Sequence, residues 1–153
     1  MYKISQSKSL SPSRIFVMGF IFAAILLIIC TVARPESLGH NDGLSYFGAV
    51  WWTVIPYTLA FLTYAACCLI ASSKIKQKTP TAKVIKRFLV LMAALLIGLV
   101  ITPHTVINSV HKVFGSTLFA SQLILSLYLL YTIKKNYWIF TQGYSSSKYA
   151  SSN

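Results

Sequence analysis

Four long apolar stretches, separated by short polar segments, set the pattern of this chain. The first covers residues 15–33 without a charge, and the second covers residues 46–71, also uncharged. The third is purely apolar from Phe88 to Ile101 and continues less cleanly through Thr102, Pro103 and His104. The fourth covers residues 113–133. Apolarity is continuous rather than alternating with period two, which selects helices over the strands of a barrel. A helix needs about 20 residues to cross a hydrocarbon core of about 30 Å. The first, second and fourth stretches meet that length, and the third meets it if it runs past Pro103 to Val110. The expected architecture is therefore all-α: an integral membrane four-helix bundle with spans at 15–33, 46–71, 88–110 and 113–133. Residues 1–14 form a leading segment, 15–140 the transmembrane domain, and the Ser/Tyr-rich 141–153 a flexible tail.

Composition narrows the class. The chain is 56% apolar and 10% charged, whereas a soluble domain is about a quarter charged, so there is too little polar surface for an ordinary globule. The net charge of +12 then fixes an orientation. Residues 1–14, the second loop and the tail together carry twelve Lys and Arg, while the first and third loops carry Arg34 and Lys112 alone. The positive-inside rule places both termini and the Lys-rich loop in the cytoplasm of a cell-membrane protein, where the basic residues meet anionic headgroups. The stretch KIKQKTPTAKVIKR is short and lacks aromatic residues, so no nucleic-acid partner is expected. The first stretch is longer than a signal-peptide core and Arg34-Pro35 would follow the cleavage point, which favours an uncleaved anchor.

Chemistry-bearing residues gather on the external side. Every acid and histidine lies in the first and third loops or their borders: Glu36, His40, Asp42, His104 and His111. His104 and His111 are seven apart, one face of a continuing helix, and with His40 and Asp42 they form a candidate Zn²⁺ site. The spacing matches no established metal motif, and the competing reading is solvated loop residues that cap helices. Asn41-Asp42-Gly43 is a turn signal, and Ser45 is placed to cap the second helix. Pro56 is expected to kink that helix near its middle, with Thr53, Tyr57 and Thr58 adjacent to re-bond the freed carbonyl. Trp52, Pro56, Asn108 and Gln122 would then line an outward-facing pocket. The three cysteines, Cys30, Cys67 and Cys68, sit at opposite ends of their helices and read as packing residues. No Asp, Glu, Lys or Arg lies within a span, which argues against ion-coupled transport.

The runs GLSYFGAVWWTVIPYTLAF (43–61) and PHTVINSVHKVFGSTLFASQLILSLY (103–128) are similar to small bacterial multi-pass proteins and distantly resemble the DRAM/Sfk membrane family. In that family an external loop leads into helix two, and a histidine near the outer end of a later helix precedes a Gly/Ala–aromatic stretch; His111 matches it. Six spans are usual there, so this chain would be a shorter variant or an incomplete chain. The resemblance implies no catalytic residues. Three functions are open at this point. The first is a non-enzymatic accessory or regulatory membrane protein with a membrane-protein partner. The second is a carrier or lipid binder using the Pro56 cavity, and the third a metal-dependent membrane enzyme.

Overall fold

The structure, a computed structural model, describes residues 10–39, 43–102 and 108–150, with side chains up to Lys134 except at 37, 38 and 43. Among these residues the secondary structure is entirely helical. Four long helices run Pro12–Ala33 (α1), Trp51–Lys74 (α2), Pro80–Ile101 (α3) and Asn108–Ala150 (α4). Each contains a stretch long and apolar enough to cross a membrane, 108–134 in the case of α4. The chain is thus a multi-pass membrane protein by the length and composition of its helices. It divides after Leu118 into two compact units, the second being the remainder of α4 and the residues beyond it.

Local signals explain the boundaries. Ser11 caps α1 by accepting from the Arg14 N–H at 3.4 Å, with Pro12 at the first helical position, where its fixed φ and missing N–H cost nothing. Thr79 and Pro80 repeat the device at the start of α3, Thr79 Oγ1 accepting from the Ala82 N–H at 3.2 Å. This start brings Lys83, Lys86 and Arg87 into the opening turns of α3. The helix gains its spanning length there rather than by running past Pro103, because it stops at Ile101 with Thr102 as its cap. Thr102 closes that end, its hydroxyl donating to the Gly98 carbonyl at 2.7 Å.

The second helix also starts elsewhere than expected. Residues Gly43–Gly48 form a 3₁₀ turn, and α2 opens at Trp51 with Val50 as its cap. Ser45 therefore lies outside the helix it was expected to cap. Pro56 falls in the second turn of α2 rather than near its middle.

Within the first unit, α2 packs against both α1 and α3. α1 and α2 are antiparallel: Lys74 Nζ reaches the Leu10 carbonyl at 3.5 Å, and at the other end Cys30 Sγ lies 3.8 Å from the Thr53 carbonyl. The five residues 75–79 turn α2 back into α3. Small residues sit at the contacts. Gly19, Ala23 and Cys30 are the buried positions of α1; Gly19 lies against Cys67 and Tyr64 of α2, and Cys30 against Thr53 and Tyr57. Gly19 and Ala23 make a small-xxx-small pair, which lets helix backbones approach closely. Tyr64 is flanked by Phe16 and Phe20 across this crossing, ring centroids 5.7 and 6.0 Å away. Large aliphatic side chains occupy the outer surface: Ile21, Ile25, Ile28 and Ile29 of α1 are each about half exposed or more. Small residues inside and large aliphatic ones outside suit a lipid solvent, in which no hydrophobic force drives helices together.

Candidate functional site

Two polar clusters occupy the end of the first unit opposite the Lys-rich loop. One is built where the 3₁₀ turn at 43–48 meets α2. A helix start leaves backbone groups without intrahelical partners, and Val50 offers no side-chain cap. Thr53, 1% exposed, closes the join from inside: its hydroxyl donates to the Phe47 carbonyl at 2.8 Å and contacts the Val50 carbonyl at 3.3 Å. This hydroxyl is thereby turned toward the preceding turn and away from the carbonyl that Pro56 frees. Phe47 is fully buried and forms a cluster with Cys30 and Tyr57, against which Leu27 and Phe61 pack. Tyr57 and Phe61 meet edge to face at 4.6 Å. The phenol of Tyr57 interacts with the Ser45 side chain, so Ser45 braces the turn onto α2 instead of capping it. Gly48 allows this closure, since a Cβ there would lie 3.0 Å from the Tyr57 ring.

The second cluster joins the end of α3 to the start of α4. His111, only 3% exposed, places Nδ1 2.6 Å from the Thr102 carbonyl. With Nδ1 as donor, the imidazole completes the cap of α3 that the Thr102 hydroxyl begins. Gly98 makes room for the neighbouring Phe114 ring, three atoms of which would stand 2.9–3.0 Å from a Cβ at that position.

The residues proposed from sequence are distributed as follows. His40, Asp42 and His104 lie outside the described residues, and His111 is the buried brace just described. Glu36 pairs with Arg34 at 3.0 Å, and this hydrogen bond holds its carboxyl below the usual carboxylate range. Trp52 is 74% exposed, one residue from Thr53 but on another side of α2. Pro56, a turn further along α2, is half-buried. Asn108 is exposed at the first residue of α4, and Gln122 is half-buried in the second unit. All three cysteines are free.

Thr53, Phe47 and Gly98 carry this end of the fold; Thr53, expected to re-bond the carbonyl that Pro56 frees, bonds the Phe47 carbonyl instead. Thr53 had a legible signal, a hydroxyl residue in the first turn of a helix whose cap is valine. The chemistry of both clusters is the same: polar side chains are used to satisfy backbone groups where helices start and stop. No family model, curated protein or solved structure matches the chain.

Proposed function

We propose that this chain is a non-enzymatic integral membrane protein of the cell membrane, with both termini and the Lys-rich loop in the cytoplasm, serving as an accessory or regulatory subunit for another membrane protein. The observation that carries this reading is how the described interior uses its polar groups. Thr53, Thr102 and His111 each spend a side-chain hydrogen bond on a backbone carbonyl at a helix end, which builds a scaffold rather than a reaction centre. Twelve basic residues against two on alternate sides of the expected spans support the orientation. Large aliphatic side chains on the outside of α1 supply the contact surface for lipid and for a partner helix.

Elemental analysis of detergent-purified protein, combined with melting curves with and without a chelator, tests the non-enzymatic part. The expected result is substoichiometric metal and an unchanged midpoint. Stoichiometric Zn²⁺ whose removal lowers the midpoint would replace this reading with the metal-dependent one, centred on His40, Asp42, His104 and His111, because a metal bound to the native state stabilises it by mass action.

A further inference from the structure

We draw no further inference here: the strongest candidate, the exposed apolar stripe that Trp52, Ile55, Leu59, Leu62 and Leu69 make along α2, carries none because nothing in the structure shows what covers it.

Discussion

Gly19→Leu is expected to give the largest loss of stability of any single change in the α1–α2 pair. A Cβ at position 19 would stand 2.5 Å from the Cβ and 2.8 Å from the Sγ of Cys67, with the Tyr64 ring at 3.6 Å. The first neighbour is anchored directly to the α2 backbone, so no rotamer change removes the clash and the helices must separate. Overpacking a close contact costs about 1–3 kcal/mol for a small addition. Gly19→Ala should fall in that range, and Gly19→Leu should exceed it and lower the yield of monodisperse protein. Truncation at the other side of the contact supplies the control. Gly19→Ala/Cys67→Gly should recover stability relative to Gly19→Ala, since the opposing Cβ is gone, while Gly19→Ala/Cys67→Ala should recover little because that Cβ remains. Denaturation midpoints of the purified variants read this out. Equal stability of Gly19→Leu and wild type would mean that the helices do not cross at this point.

Phe47→Ala is the second large effect. Phe47 is fully buried, the largest fully enclosed side chain among the described residues, and clusters with Cys30 and Tyr57. Removing a buried phenyl ring typically costs about 3–5 kcal/mol, part of it from the cavity left behind. The cavity would open beneath the Thr53–Phe47 bond that holds the 3₁₀ turn to α2, so the loss should extend to the loop. Limited proteolysis between residues 34 and 50 should accelerate along with the fall in stability. Phe47→Leu, which retains most of the volume, should cost less and leave proteolysis close to wild type. Rapid cleavage in both variants with unchanged global stability would instead mark the turn as independent of the helix pair.

How much of this fold was written in the residues depends on the kind of feature. Continuous apolar runs located four helices, because a span is set by length and hydropathy, both local properties. Helix starts were less legible. Thr79-Pro80 carries a clear start signal, but a hydropathy reading begins a span where charges end, and so placed Lys83, Lys86 and Arg87 in a loop instead of the first turns of α3. The error at α2 has another cause. LSYFG is as apolar as the helix that follows, and apolarity does not separate a 3₁₀ turn from an α-helix. Its exit at Gly48 is set by the closeness of the Tyr57 ring, a contact between residues nine apart.

The clusters show the same division between local and distant information. Gly19-xxx-Ala23 is visible as a packing motif, yet the identity of Cys67 as its partner depends on where two helices cross. His111 stands out in sequence through its seven-residue spacing from His104. Its burial and its bond to Thr102 depend on α3 stopping at Ile101, which the apolar run did not reveal. Thr53 reads from sequence as a partner for the carbonyl that Pro56 frees, because the proline is local to it, whereas its hydroxyl joins the preceding turn to the helix.

The central claim is that this is a multi-pass membrane protein whose basic ends share the cytoplasm. Paired topology reporters, one fused after Asn153 and one inserted at Asn41, test it most directly. A cytoplasmic signal at Asn153 together with an external signal at Asn41 is the predicted result. An external signal at Asn153 would contradict it, leaving the tail and its lysines on the outer side.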